Sequence, residues 1–234
     1  MDLTFASYNI RKAVGVDGRR DPERILAILH EIDADVVALQ EADRRFGRRE
    51  TVLPRDLLDD LGSYRAVPLN SRPDSIGWHG NALLVKRGID VAEAARVPLP
   101  ALEPRGAVRA DLLIEGHRLR VAGLHLDLSG LRRKHQARAI LSHLQDCGDN
   151  CPTVLMGDFN EWAEHGGVWR EFREGWTVLA PGRSFPSRRP LARLDRVIVS
   201  SEWHVGSVGV HHSALAASGS DHLPIFAKVH LPKK

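Results

Sequence analysis

Thiols, lysines and long apolar runs are all scarce in this 234-residue chain, and each shortage closes a class of function. There are two cysteines, and six lysines stand against 27 arginines. Cys147 and Cys151 lie in Cys-Gly-Asp-Asn-Cys, which is neither a Cys-x-x-Cys redox motif nor half of a zinc site with visible partners. They read as ordinary thiols, with a redox-sensitive pair as the alternative; a disulfide-stapled secreted scaffold is excluded. No 18-residue window is apolar throughout, so no transmembrane helix is expected. No secretory leader precedes the strand-like run from Leu3 to Ile10, so a cytoplasmic protein is expected. Repeats, low-complexity tracts and long linkers are also missing, and one domain over residues 1–234 is the expectation.

What is present suits a globular chain: 43% hydrophobic and 27% charged residues, with a formal net charge of +3. The arginine excess admits an anionic partner and, equally, a codon bias of the host genome. Arg44-Arg45-Phe46-Gly47-Arg48-Arg49, Arg132-Arg133-Lys134 and Arg188-Arg189 are places where phosphate could bind, each with a solvated face as its ordinary reading.

Strand and helix signals alternate at first. Residues 3–9 read as a strand. Asp21-Pro22 starts a helix, because Asp caps and Pro suits the first helical position. Ile25, Leu26, Ile28, Leu29 and Ile32 form its apolar face. Val36 to Leu39 is a buried strand, and 54–61 a short helix. Strands follow near 64–68, 81–86, 89–97, 107–114 and 118–127, with a hairpin turn at Glu115-Gly116-His117. Residues 131–146 read as a helix with Leu131, Ile140, Leu141 and Leu144 inward. A strand at 153–156, a helix near 162–172, and strands near 194–199, 204–210 and 224–230 complete the series. Two mixed, mostly antiparallel sheets packed face to face with helices outside fit this order better than a doubly wound parallel sheet.

Polar residues close one core strand after another. The first ends at Asn9, and Val36 to Leu39 runs into Gln40-Glu41. The 118–127 strand carries His125 and Asp127 opposite Leu124, Leu126 and Leu128. Thr153 to Met156 is followed by Gly157, Asp158, Phe159 and Asn160. Asp195 sits inside an apolar run, and Ser220-Asp221-His222 precedes the last strand. A single Asn or Asp there is ordinarily a turn former. Six on converging strand ends are a constellation, since buried carboxylates are costly unless paired or on a metal. Oxygen and amide donors with two imidazoles and no thiolate suit Mg²⁺ or Mn²⁺ rather than structural zinc.

In order along the chain, Ser-Tyr-Asn9-Ile, Leu-Gln-Glu41, Leu-His125-Leu-Asp-Leu, Gly-Asp158-Phe-Asn160, Leu-Asp195-Arg-Val-Ile-Val and Ser-Asp221-His222-Leu-Pro-Ile resemble the motifs of the endonuclease/exonuclease/phosphatase superfamily. The resemblance runs from residue 4 to about 229. It implies a four-layer α/β sandwich and Mg²⁺-assisted phosphoester hydrolysis, with Mn²⁺ able to substitute. It makes Glu41 the principal metal ligand, with Asn9 and Asp221 beside it. It makes Asp158 the residue that positions and deprotonates water, with Asn160 bonded to it or to phosphate. His222 is implied at the scissile phosphate, Asp195 as the partner that orients His222, and His125 as a donor to the phosphate. Whether Asp158 or His222 is the base stays open. Asn81, His79, Arg11 and Arg105 are further phosphate-binding candidates, each with a structural role as the alternative. Trp162 is expected to pack, with the substrate mouth as its other place.

The resemblance is nearest to small bacterial members. No long insertion suited to wrapping a duplex is present, nor is the longer signature of the inositol 5-phosphatases. The arginine bias favours a nuclease on DNA. A phosphodiesterase or phosphatase for a small molecule or lipid headgroup and a silent phosphate-binding module remain as alternatives. No protein partner is implied.

Overall fold

The computed structural model describes every residue except 45–46, 61–62, 70–72, 101–104, 147–150 and 233–234. The described residues form, in order, β1 (Asp2–Asn9), α1 (Pro22–Ile32), β2 (Val36–Gln40), α2 (Arg55–Asp60), β3 (Tyr64–Ala66), β4 (Ala82–Lys86), β5 (Asp90–Val97) and β6 (Gly106–Ile114). Then come β7 (His117–His125), α3 (Gly130–Asp146), β8 (Thr153–Asp158), β9 (Trp176–Leu179), β10 (Asp195–Ser200), β11 (His204–Val210), α4 (Ala214–Gly219) and β12 (Ile225–His230). Asp21 does cap α1, accepting from the Arg24 N–H at 2.9 Å, and Pro22 opens the helix. The β6–β7 hairpin turns on Glu115 and Gly116 alone, both at positive φ, a primed turn whose twist matches the strands. His117 already belongs to β7.

Two six-stranded sheets form, in the orders β11-β12-β1-β2-β4-β3 and β5-β6-β7-β8-β10-β9. Each contains one parallel pair, β1 with β2 and β7 with β8, joined by α1 and α3 respectively. On one side of each pair lie two antiparallel strands (β12-β11 or β6-β5), and on the other two more (β4-β3 or β10-β9). The halves thus repeat a topology of which the sequence shows no trace.

Three cores lie in the stack. Phe5, Val36, Leu83, Val108, Val121, Met156, Val197 and Ile225 meet between the sheets. Tyr8, Val37, Leu39 and Leu84 pack outward against Ile25, Ile28 and Leu29 of α1. Ala122, Leu124, Leu155 and Ile198 pack outward against Ile140 and Leu144 of α3. This is the α/β sandwich expected. Alternation along a strand now fixes facing. Asn9, His125, Asp158 and Asp195 share parity with the inter-sheet core, so they are its continuation at one rim. Arg109, Asp111, Arg120 and Arg196 share parity with the outer cores.

Several expectations are corrected. Residues 162–172 are not an α-helix; a 3₁₀ turn spans only Gly167–Glu171. Val168, Trp169 and Phe172 mimic a helical face, but Gly166 and Gly167 adopt φ +80° and +51°. The Glu161 carboxylate pins the loop by accepting from the Ala163 and Val168 N–H groups. Leu131 is 67% exposed, not inward, because α3 begins at Gly130 and its first turn stands clear of the sheet. β7 stops at His125, so Asp127 lies beyond it and accepts from the Ser129 N–H, and Leu128 is 65% exposed. Trp162 is 65% exposed rather than packed. Arg133 of the second basic cluster is buried, tied to the Leu128 carbonyl and the Glu161 carboxylate. β9 and α4 had no sequence signal. Cys147, and with it any pairing with Cys151, lies outside the described residues, as do Arg45 and Phe46. No helix among the described residues is long and apolar enough to cross a membrane.

Candidate active site

Strand register builds half of the site. β8 pairs with β7 on one side and β10 on the other, so that His125, Asp158 and Asp195 are consecutive cross-strand neighbours at the rim. Gly157 permits this approach, since a Cβ there would lie 2.0 Å from the Leu124 carbonyl oxygen. His222, just before β12, closes the group. Its Nδ1 lies 2.9 Å from Asp195 Oδ2, which also accepts from the Ser184 hydroxyl. Asp158 Oδ2 is a meeting point: Asn9 Nδ2 donates to it at 3.0 Å, His125 Nε2 lies at 3.4 Å and His222 Nε2 at 3.7 Å. Asp158 Oδ1 accepts from the Asn160 N–H at 2.9 Å. Asn9, His125, Asp158, Asn160, Ser184, Asp195 and His222 are all at least nine-tenths buried.

Burial raises Asp158 well above the usual carboxylate range, and Asp195 adds to the rise, while the charge on His222 and the hydrogen bonds from Asn160 and Asn9 oppose it. Burial alone would discharge His222, but Asp195 and Asp158 outweigh it and hold the ring as the imidazolium. His125 is pushed the other way, kept neutral by burial and by the cations Arg105, His222 and Lys12. Arg105 contacts its Nε2 directly.

The first sheet contributes the more open half. Asn9 ends β1, and Glu41 follows β2 at φ +56°. Gly80 packs on Glu41, where a Cβ would lie 3.3 Å from the Glu41 Cα. The Lys12 ammonium sits on Glu41 Oε2, and Arg11 Nε lies 3.5 Å from Asp221 Oδ2. Ser220 joins the two parts, donating to the Asn9 carbonyl at 2.7 Å with Asp221 Oδ1 at 3.3 Å. Arg11, Lys12, Ala13, Glu41, His79 and Asn160 are non-glycine residues with positive φ, and all lie on rim segments. Such strain is held where the surroundings over-determine the backbone, commonly at functional sites.

Two oxygen-rich sets are candidates for a metal ion. One carboxylate oxygen each of Asp158 and Asp195 and a ring nitrogen of His222 lie within 4.8 Å of one another, close enough to hold one. An imidazolium has no lone pair to give, however, and His222 is already ion-paired with both aspartates. Glu41 and Asp221, with side chains 27% and 37% exposed, are carboxylates reachable from water, and each already carries a cationic side chain. Their donors, with the Asn9 amide nearby, fit a hard divalent cation better.

The weaker candidates divide. Arg11 and Arg105 are at the site. His79 stacks on Trp78 with ring centroids 4.3 Å apart, on the loop beside Glu41. Asn81 is fully buried in inner-face register, its Nδ2 on the Trp78 carbonyl at 3.4 Å and its Oδ1 without a hydrogen-bond partner. Asn160 is bonded to Asp158 through its backbone rather than its side chain: at φ +51° its N–H serves Asp158 while the side chain turns to the Leu126 carbonyl at 2.9 Å. Lys12, Ser184 and Phe185 were missed. Lys12 was legible as the neighbour of Arg11. Ser184 and Phe185, whose ring lies 4.8 Å from His222, come from a loop with no distinguishing pattern.

A family model described as the endonuclease/exonuclease/phosphatase family matches residues 6–222. The uncharacterized Escherichia coli K12 protein YbhP is 28% identical over 172 residues, 66% of this chain and 64% of YbhP, so the match spans less than two thirds of that relative. Solved structures share the fold. A Bacteroides thetaiotaomicron mannosyl-6-phosphatase superposes with TM-score 0.77 at 22% identity, covering 98% of this chain and 100% of that one. D. rerio TDP2 complexed with single strand DNA product gives 0.76 at 17%, covering 98% and 99%.

Proposed function

The chain belongs to the endonuclease/exonuclease/phosphatase family, whose members are phosphoric ester hydrolases, and from that premise we propose that it is a divalent-metal nuclease, hydrolysing DNA phosphodiesters with Mg²⁺ and accepting Mn²⁺. The observation that carries this reading is the convergence of Asn9, His125 and His222 on one buried oxygen of Asp158.

A carboxylate made more basic by burial can take a proton from water near neutral pH. Asn9 and the Asn160 N–H fix its rotamer, so the free lone-pair direction is set before substrate arrives. His222, charged and oriented by Asp195, faces the negative charge that grows on the phosphoryl oxygens. Ser184 holds Asp195 in turn, so Asp195 and Ser184 act as positioning residues. His125 and Arg105 contribute hydrogen-bond donors to the same phosphate. Glu41 and Asp221, with Asn9, would hold the metal ion, which would supply positive charge against the phosphoryl and leaving oxygens. Arg11 and Lys12 add positive charge at the mouth, and His79 stands on the loop beside Glu41.

DNA is favoured by an aromatic step beside the phosphate position. Exposed Trp162 stands edge-on to Phe185 at 6.3 Å, and Phe185 touches His222. An exposed indole next to cations suits stacking of an unpaired base. D. rerio TDP2, whose structure holds single strand DNA product, shares the fold.

Plasmid nicking tests the proposal, run with Mg²⁺ and with chelator, on wild type and on Asp158→Asn. Nicking that needs the metal and disappears in the variant is the expected result. Folded, metal-supplied wild type that leaves the plasmid intact overturns the DNA reading. Turnover of a small phosphoester by the same preparation would then move the substrate class without moving the chemistry.

A further inference from the structure

We propose that the outer face of the second sheet carries a second, non-catalytic site for a phosphate group, built by Arg170, Arg173, Arg193 and Arg196 around a cavity of about 420 Å³. It stands independently of the hydrolase reading, because it uses none of the residues at the rim.

Alternation in β10 creates it. Asp195 faces inward to the catalytic group, so Arg196 must face outward. There Arg196 is 2% exposed, and its guanidinium lies 5.1 Å from the ring centre of Trp169, which holds it flat. Nη1 is spent on two carbonyls, of Arg193 and Asp195. No carboxylate among the described residues forms an ion pair with Arg196, Arg170 or Arg173. The cavity's single acid, Glu164, is taken by Arg193 at 3.2 Å. Even so, the Arg193 Nε is buried with no hydrogen-bond partner.

A buried cation without a counter-charge is costly. Burial and the nearby charge of Arg193 pull Arg196 down to about 10, against the weaker opposing pull of Asp195 and Glu164. The walls thus hold four guanidinium groups against one carboxylate. Planar guanidinium groups bind phosphate with paired, charge-assisted hydrogen bonds. The volume lies in the range of small-ligand sites, enough for a nucleotide-sized phosphate ester. The ligand's phosphate belongs either to such a free ester or to a nucleic-acid strand.

Calorimetric titration decides, using Asp158→Asn protein in chelator so that neither turnover nor metal intervenes. The probes are inorganic phosphate, a nucleoside 5′-monophosphate, and a single-stranded oligonucleotide without terminal phosphate. Saturable binding is expected that weakens at least tenfold in Arg170→Gln/Arg173→Gln, both exposed and tolerant of change. The charge-matched Arg87→Gln/Lys228→Gln pair, on the first sheet's side, should stay within twofold. Arg196→Gln should abolish binding, and if it fails to fold, the exposed pair still carries the test. Binding of the monophosphate but not the oligonucleotide identifies a small ester. Oligonucleotide binding whose salt dependence flattens in Arg170→Gln/Arg173→Gln identifies a strand. Equal affinity in that variant and its parent, or no saturable binding of any probe at millimolar concentration, overturns the proposal.

Discussion

Of the three aspartates buried in the second sheet, Asp111 and Asp158 are pushed in opposite directions by their surroundings. Asp111, fully buried on the outer face under α3, accepts from Arg109 and Arg120 on Oδ1 at 3.0 and 2.8 Å, and from Arg118 and Arg120 on Oδ2 at 2.8 and 2.9 Å. Burial would raise it, but these arginines more than compensate and hold it below the usual carboxylate range. Asp158, on the inner face, meets an amide, a backbone N–H and two imidazoles, and is raised. Both are buried; only one is balanced by charge. A buried charge with a full set of counter-charges is locked and serves the fold. One left short of them stays able to exchange a proton, and serves chemistry. The arginine cavity carries the same imbalance with the sign reversed.

Exchanging each aspartate for its neutral isostere separates the two roles most sharply. Asp158→Asn is expected to lower the turnover rate by up to about 10⁴-fold, with an unfolding midpoint in urea close to wild type. A variant that keeps more than a tenth of the activity would remove Asp158 from the mechanism. Asp111→Asn should show the reverse pattern. Breaking a buried ion-paired group costs roughly 3–5 kcal/mol, so denaturant unfolding should shift strongly while activity per folded molecule stays unchanged. A stable Asp111→Asn protein would mean that the knot is not structural.

Glu41→Gln tests the open rim. Loss of one metal-ligand charge should raise the Mg²⁺ concentration for half-maximal activity by roughly 10–100-fold, a range seen even for outer partners of ligands. An unchanged metal titration would move the metal away from Glu41.

The smallest effect is in acid. A carboxyl group lowered on folding contributes stability that is complete above its unfolded value, about 3.9, and is lost as pH falls through the folded value. Wild type should therefore lose more stability below about pH 4 than Asp111→Asn does, so the two unfolding curves converge as acid is added. Parallel curves would show that Asp111 does not titrate differently in the folded state.

The polar rim of the candidate site was legible. Polar residues at the ends of apolar runs, in a familiar order, marked Asn9, Glu41, His125, Asp158, Asp195 and His222 before any geometry. The Asp111 knot was not, because Arg109, Asp111, Arg118 and Arg120 look like the polar half of two ordinary hairpin strands. The 162–172 segment misled for a different reason. Its apolar spacing is helical, but two left-handed glycines and the reach of Glu161 override that spacing.

By itself the sequence determined the local rules: where α1 begins, where β1 stops, and that rim polarity interrupts buried strands. Those are short-range matters of capping, alternation and turn chemistry. The tertiary structure decided which charges meet. Asp111 finds Arg118 and Arg120 only through the β6–β7 register, Asp158 stands between His125 and Asp195 only because β8 lies between β7 and β10, and Arg196 has no ion-pair partner among the described residues because β10 turns its one aspartate to the other face. Electrostatic balance is a sum over neighbours in space, and neighbours far apart in the chain are assigned by the sheet register rather than by the residues themselves.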